Sequence, residues 1–258
     1  MGALARSRQI LCIVGARPNF MKIAPIMRAF MQQESELSAR LLHTGQHYDA
    51  AMKHAFFDQL RIPEPEVDLG VGSGSHAQQT SEIMKRFEPV LDEDPPHAIL
   101  VVGDVNSTIA CALVAVKKGI PVIHVEAGLR SGDRSMPEEI NRILTDQLSE
   151  LLFITEADAR GNLLREGIPE EKVHFVGNVM IDTLRYNLSH AVPATSTLEK
   201  ANVVLADWTS GYGVVTLHRP SNVDDPEVLE RLLKVLVQIS ERTPLLFPIH
   251  PRTESRLA

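Results

Sequence analysis

The stretch Ile120-Pro121-Val122-Ile123-His124-Val125 is apolar almost throughout. It runs into Glu126-Ala127-Gly128-Leu129-Arg130-Ser131-Gly132-Asp133-Arg134-Ser135-Met136, then Pro137-Glu138-Glu139-Ile140-Asn141-Arg142. A run without polar alternation reads as a strand buried on both faces, which is the habit of a parallel sheet. The two glycines turn the chain, and an amphipathic helix is expected over 137–148, with Ile140, Ile143, Leu144 and Leu148 as its core stripe. Parallel α/β proteins bind ligands at the carboxyl ends of their strands, and the charged residues gather there.

Each charged residue has an ordinary explanation when taken alone. Glu126 could be a strand-end acid, and Glu138 could close a capping box with Ser135. Arg142 could be a helix-surface partner of Glu138 and Asp146, each four residues away, for only ~0.2–0.5 kcal/mol per pair. A fold alone does not require so many charges at one strand end.

Working outward, strand and helix patterns alternate along 1–178. Strands are expected near 9–15, 39–44, 98–103, 120–126, 151–154 and 173–177. Helices are expected near 19–33, 49–60, 76–92, 106–118, 137–148 and 157–166. This order predicts an α/β doubly wound parallel sheet. A further helix near 179–190 closes a first domain, 1–190, and the Pro193–Thr197 region marks a linker over 191–205. Beyond it a strand at 212–217, a helix at 226–240 and a strand at 244–249 form the start of a second domain, 206–258. Two strands and one helix cannot cover both faces of a parallel sheet, so this second domain reads as incomplete.

The 258 residues are 44% hydrophobic and 23% charged, enough for one sizeable core or two smaller ones. A net charge of −7 argues against nucleic acid or an anionic membrane as partner. Cys12 and Cys111 lie among apolar neighbours and read as buried free thiols of a reducing compartment. No segment approaches the ~20 apolar residues of a membrane span, and a cytoplasmic location is expected.

Several cofactor signatures are absent. There is no G-x-x-x-x-G-K-[ST], and Gly70, Gly72 and Gly74 miss the spacing and setting of a dinucleotide fingerprint. The His-x-Glu at 124–126 lacks the Pro-Cys-x-x-Cys of zinc deaminases. His43 and His47 need not share a helical face, so no metal and no cofactor are expected.

Polar clusters do recur at strand ends. The first is Gly15-Ala16-Arg17-Pro18-Asn19-Phe20-Met21-Lys22, where Pro18 suits a helix start. Arg17 and Lys22 near that start oppose the helix dipole, and an anionic ligand such as a phosphate would answer them. Thr44-Gly45-Gln46-His47-Tyr48-Asp49 follows the second strand. In Gly103-Asp104-Val105-Asn106-Ser107-Thr108, Asp104 is a candidate catalytic acid and Asn106 or Ser107 a helix cap. The second domain repeats the pattern with Leu217-His218-Arg219-Pro220-Ser221-Asn222 and Ile249-His250-Pro251-Arg252.

Together, G-A-R-P-N-F-M-K at 15–22, H-V-E-A-G-L-R-S-G at 124–132, P-E-E-I-N-R at 137–142, G-N-V-M-I-D at 177–182 and L-H-R-P-S-N at 217–222 resemble the non-hydrolysing UDP-N-acetylglucosamine 2-epimerases. The resemblance spans nearly the whole chain in the family's order. It implies two Rossmann-like domains facing across a cleft, as in one large glycosyltransferase class, a homodimer, and a UDP-sugar as substrate. Carried over by position, Asp104, Glu126, Glu138 and His218 are expected to be catalytic. Arg17 and Lys22 also match the family's site, and Arg142, Arg219 and His250 are further candidates for substrate contact.

The implied chemistry explains the residue types. Carbon 2 of an acetamido sugar has no adjacent carbonyl carbon to stabilise a carbanion. Breaking the anomeric carbon–oxygen bond first develops oxocarbenium character and acidifies that hydrogen. Loss of UDP then gives a 2-acetamidoglucal, and re-addition with protonation on the opposite face gives the N-acetylmannosamine epimer. Carboxylates are needed as acid and base, and cations on the departing diphosphate.

Two departures from the family pattern stand out. The sequence ends before the Asp-Ser-Gly-Gly…Glu segment that in such enzymes holds the uridine and diphosphate, so weak UDP binding by this stretch alone is expected. Gln46 is a candidate allosteric contact, but Tyr48 stands where members activated by substrate have the arginine of Gln-His-Arg. Three alternatives stay open: an epimerase for a related substrate such as a UDP-2,3-diacetamido uronic acid, a glycosyltransferase, and a non-catalytic nucleotide-sugar binder. The carboxylate trio favours chemistry over binding alone, because a binder of an anion gains nothing from nearby acids.

Overall fold

The computed structural model describes residues 8–33, 36–45, 57–203 and 211–257. The chain divides into two compact units, Met1–Ala191 and Val192–Ala258.

The first unit is an α/β layer structure on one parallel sheet. Its strands are β1 (Arg8–Val14), β2 (Leu37–His43), β3 (Val67–Asp68), β4 (Ala98–Val102), β5 (Val122–Val125), β6 (Leu151–Ile154) and β7 (Val173–Phe175). Their spatial order is β3-β2-β1-β4-β5-β6-β7, every neighbouring pair parallel. The order reverses between β1 and β4, which makes their carboxyl ends the switch-point crevice of a doubly wound sheet.

The helices are α1 (Arg17–Gln32), α2 (His76–Glu93), α3 (Asn106–Lys117), α4 (Pro137–Leu148), α5 (Ala157–Arg165) and α6 (Val179–Leu188). Strand alternation divides the core between the two faces. Leu11, Ile13, Ile99, Val101 and Val122 pack with Ile83 and Phe87 of α2 and with Ala110, Cys111 and Ala115 of α3. Ile10, Cys12, Val14, Leu100 and Val102 pack with Phe20, Ile23, Ala24 and Met27 of α1. Each large side chain fully buried here contributes ~1.5–3 kcal/mol relative to exposure. Both cysteines are free and buried, and burial pushes the Cys12 thiol up to about 12.

Pro25 lies inside α1 and has no N–H to give the carbonyl of Met21 one turn earlier. That carbonyl instead accepts from Thr183 Oγ1 of α6 at 2.6 Å, a bond that fastens α6 against α1. The strand expected over 120–126 is shorter in the structure. Glu126 adopts a left-handed φ of +74° and Gly103 one of +68°, and these residues end β5 and β4. β3 was not expected; it is a two-residue edge strand without periodicity to reveal it. Of the helix expected over 49–60, only 57–60 falls within the described residues, and it is helical.

Helix α4 meets the expected facing only in part, with Leu148 packed against the core. Ile140 and Leu144 are 47% and 48% exposed, Ile143 and Leu148 half-buried. Its inner face carries Glu139, Thr145 and Asp146 instead. Hydrophobic periodicity located the helix, but Ile140 and Leu144 face outward because polar strand-end groups occupy much of the inner side.

The second unit contains α7 (Ala194–Lys200), β8 (Gly213–Val214), α8 (Pro220–Val223), α9 (Pro226–Ser240), β9 (Leu245–Leu246) and α10 (Pro251–Leu257). β8 and β9 pair in parallel. The stretch read as linker thus holds a short helix, α7. Asp225 caps α9 by accepting from the N–H groups of Glu227 and Val228, with Pro226 in the first turn. Leu229 and Val223 are buried, while Val214, Val235, Val237, Ile239 and Ile249 remain exposed. No helix among the described residues is long and apolar enough to cross a membrane.

Candidate active site

Parallel register puts the ends of β4 and β5 side by side, since Val102 faces Val125. The next residues, Gly103 and Glu126, are therefore neighbours, and both turn through left-handed conformations. For glutamate this conformation is costly, about 1–3 kcal/mol, and such strain concentrates at functional sites. It aims the Glu126 carboxylate across the face of Gly103 into an ion pair with Lys22 of α1. A Cβ on Gly103 would lie 2.9 Å from Lys22 Nζ and 3.3 Å from Glu126 Oε2. Only glycine leaves room for this pair at that backbone angle.

Asn19 sets the opening of α1. Its Oδ1 accepts from the N–H groups of Gly15 and Ala16 at 3.2 and 3.0 Å, and its Nδ2 donates to Val102 O at 2.9 Å. One buried amide therefore ties the β1–α1 turn to the end of β4. Beside it a Cβ on Gly15 would come within 2.0 Å of Ser107 Oγ, which lies 2.7 Å from Thr44 Oγ1. Arg17 is the first residue of α1 and is exposed. The carboxyl ends of β1, β2 and β4 meet here around a helix start, a setting that favours an anion.

Asp104 is held from α4. Its carboxylate pairs with Arg142, and its carbonyl accepts from Asn141 Nδ2 at 2.9 Å. Arg142 also lies 3.2 Å from Glu139. Glu138 is half-buried in the first turn of α4, three and four residues before Asn141 and Arg142, so it shares the helix face that grips Asp104.

The local explanations offered by sequence give way at this point. Met136, not Ser135, is the N-cap of α4, and Glu139 takes the loop-holding role by accepting from the N–H groups of Ser131 and Gly132 at 2.9 Å. Burial alone would raise the Glu139 carboxyl, but these two bonds and nearby Arg142 hold it below its usual range. Arg142 engages Asp104 and Glu139 rather than Glu138 and Asp146. Val105 occupies the N-cap of α3, without a side-chain cap, so neither Asn106 nor Ser107 caps it. Asn106 instead donates to Gln79 Oε1 at 2.9 Å and lies 3.3 Å from Asn141 Nδ2.

Of the residues singled out by sequence, the first unit brings Asp104, Glu126, Lys22 and Arg142 into paired contact at adjacent strand ends. It sets Arg17 at the head of α1 and Glu138 on the adjoining helix face. The second unit gathers the other three. His218 follows β8 and His250 follows β9, with ring centroids 5.3 Å apart, and Arg219 occupies the N-cap position of α8 without a side-chain cap. Thr253 Oγ1 of α10 donates to Leu217 O and joins the segments that follow the two strands. Gln46 lies outside the described residues. Among the described residues no cluster of three or more histidine, cysteine or acidic side chains is arranged to hold a metal ion.

Sequence reasoning gave Asn19, Asn141 and His124 no role of their own and offered Asp146 only as a helix-surface partner of Arg142; all four hold the acids and loops in place. The three-residue step from Glu138 to Asn141 and the four-residue steps to Arg142 and Asp146 were the available signal for α4, because they mark one helix face.

Comparison with known proteins shows the family. The family model for UDP-N-acetylglucosamine 2-epimerase matches residues 29–258. The chain is 43% identical over 247 residues to UDP-N-acetylglucosamine 2-epimerase of Methanocaldococcus jannaschii, covering 95% of this chain and 66% of that protein. It is equally 43% identical, over 248 residues, to UDP-2,3-diacetamido-2,3-dideoxy-D-glucuronate 2-epimerase of Pseudomonas aeruginosa, covering 95% of this chain and 67% of that one. The crystal structure of the M. jannaschii UDP-GlcNAc 2-epimerase in complex with UDP-GlcNAc and UDP superposes with a TM-score of 0.82 at 42% identity, covering 96% of this chain and 68% of that chain. The chain thus spans about two thirds of the length of the curated relatives it matches. With the family match running over most of the sequence and the strand-end motifs in place, the chain belongs to the UDP-N-acetylglucosamine 2-epimerase family.

Proposed function

We propose that the gene product epimerises UDP-N-acetylglucosamine at carbon 2, giving UDP-N-acetylmannosamine, by elimination and re-addition of UDP. The observation that carries this reading is the pairing of Asp104 and Glu126 at neighbouring strand ends, each answered by a cation, beside the face of α4 that bears Glu138. In the elimination a carboxylate takes the hydrogen from carbon 2 and that electron pair forms the carbon 1–carbon 2 double bond. The anomeric carbon–oxygen bond breaks, and its electrons leave on UDP. The return adds a proton to the other face of carbon 2 and restores the bond to UDP. The steps balance without oxidant or reductant, and no cofactor is invoked.

In this reading Asp104, Glu126 and Glu138 share the proton transfers and the cation-like intermediate. Arg17, Lys22 and His218 surround the diphosphate and sugar, with Arg142, Arg219 and His250 as further substrate contacts. The domain beginning near 206 binds UDP, after a first domain of 1–190. A second substrate, a UDP-2,3-diacetamido uronic acid, is favoured by the P. aeruginosa relative, whose identity equals that of the M. jannaschii enzyme. A nucleotide-sugar substrate and two buried thiols fit a cytoplasmic enzyme.

We also propose a homodimer. Met136 at the N-cap of α4 and Ile140 and Leu144 along it, four residues apart, are exposed, as is Val116 on α3, which packs beside α4. Single exposed apolar residues are ordinary, but a row along one helix fits a second copy.

The test is incubation of both candidate UDP-sugars with the full gene product in heavy water, followed by NMR and mass analysis. An epimerase places deuterium at carbon 2 and forms the epimer. A transferase releases UDP only with an acceptor and without carbon-2 exchange, and a simple binder does neither.

A further inference from the structure

Behind the paired acids lies a charged cluster that the proposed reaction does not use. His124 and Asp146 are both fully buried, and His124 Nδ1 is 2.6 Å from Asp146 Oδ1. The other ring nitrogen, Nε2, is 2.9 Å from the carbonyl oxygen of Gly103. A carbonyl can only accept, so Nε2 carries a proton. Asp146 already accepts from Gly128 N–H at 3.1 Å and lies 2.7 Å from the Arg130 guanidinium, so it acts as a carboxylate and Nδ1 donates too. Arg130 in turn grips Glu166 with two bonds of 2.8 and 2.6 Å. The imidazole is thus a two-ended donor joining helix α4 to the end of β4.

Its place in the fold gives this link a consequence. Gly103 directly precedes Asp104. Glu126 follows His124 by two residues, just past the end of β5. Asp146 lies on α4, four residues after Arg142 and eight after Glu138, on the face turned towards Asp104. One buried pair therefore connects the three segments that carry the three acids.

We propose that His124 and Asp146 are positioning residues that set the spacing of Asp104, Glu126 and Glu138 for proton transfer, an inference that rests on the epimerase reading above. Stability alone does not account for the pair. Replacing a buried ion pair with apolar side chains of similar volume is often neutral or stabilising, whereas a charged, two-ended bond fixes direction as well as distance. The link reaches the acids and not Arg17 at the head of α1, while Arg142 is held separately by Asp104 and Glu139, so its loss affects turnover more than substrate capture.

The test uses the full gene product and the heavy-water assay. Asp146→Asn is expected to lower kcat for carbon-2 exchange by ~10²-fold, the scale of a 1 Å misplacement of reacting groups, with KM changed less than about twofold. A double variant, His124→Phe with Asp146→Leu, fills the volume without the link and is expected to keep its fold and lose kcat equally. Wild-type kcat in either folded variant overturns the proposal, as does an equal loss in kcat and in substrate affinity. Nitrogen NMR of the His124 ring in the wild-type protein decides independently of activity and of variant folding: protons on both nitrogens support the link, and a single protonated nitrogen overturns it. If the wild-type protein exchanges no hydrogen with either sugar, the epimerase reading fails, while the ring NMR still tests the link.

Discussion

Replacing Gly103 with alanine separates the demands of the backbone from those of the site. Gly103 sits at φ +68°, and the new Cβ would lie 2.9 Å from Lys22 Nζ and 3.3 Å from Glu126 Oε2. Gly119, at φ +72°, has nothing within 4 Å of the same position and supplies the control. The left-handed conformation costs an L-residue roughly 1–2 kcal/mol at either place. At Gly119 that is the whole effect. At Gly103 the lysine ammonium is a flexible end and can withdraw, but withdrawal breaks its bond to a carboxylate whose side chain is only 17% exposed. A bond between charged groups contributes about 1.5–3 kcal/mol. Urea unfolding followed by circular dichroism is therefore expected to show Gly103→Ala less stable than Gly119→Ala by about that amount. Carbon-2 exchange by the full gene product should fall at least about tenfold in the first variant, the kinetic equivalent of 1.4 kcal/mol, and stay unchanged in the second. Equal destabilisation with exchange intact in both would refute the argument that Gly103 is kept open for Lys22 and Glu126.

Other consequences follow from particular contacts. Burial alone would raise the Asp146 carboxyl, but His124 and then Arg130 hold it below its ordinary range. A depressed folded value means stability that is present above the unfolded carboxylate value of about 3.9 and lost as pH falls through the folded one. Acid titration by circular dichroism should show this loss in the wild type and a shallower one in Asp146→Asn. Thr183→Val removes the donor to the Met21 carbonyl that Pro25 leaves unbonded in the helix, and should cost about 1–2 kcal/mol in urea unfolding. Leu144→Glu places a charge on the outward face of α4 and should convert the proposed dimer to monomer in sedimentation, with the far-ultraviolet spectrum unchanged.

Much of the fold was readable because a two-face-buried strand has a strong signature. The runs Ile99–Val102 and Val122–Val125 lack polar alternation except at His124, and the helices between them set a parallel order. β3 and α7 were not readable, being too short to show a period. α4 was located by its 3.6-residue stripe, yet Ile140 and Leu144 of that stripe face outward, since periodicity marks an apolar side without saying what covers it.

The candidate site was legible as types and places: acids at strand ends and cations near a helix start. The pairing was less so. Lys22 finds Glu126 across the crevice because Glu126 leaves β5 through a left-handed turn, an angle that only the three-dimensional backbone reveals. Asn19, Asn141, His124 and Asp146 did not show their holding roles in the sequence, for a related reason. They touch no reacting atom in the proposed chemistry and act by holding turns, so residue type alone does not distinguish them from ordinary polar side chains.

The most direct measurement compares deuterium entry at carbon 2 in the wild-type gene product, Asp104→Asn and Glu138→Gln, each given UDP-N-acetylglucosamine in heavy water. The wild type should incorporate label and form the epimer, while both amides, which keep shape but cannot take up or deliver the proton, should incorporate none. Full incorporation by both amide variants would contradict the assignment of proton transfer to these acids.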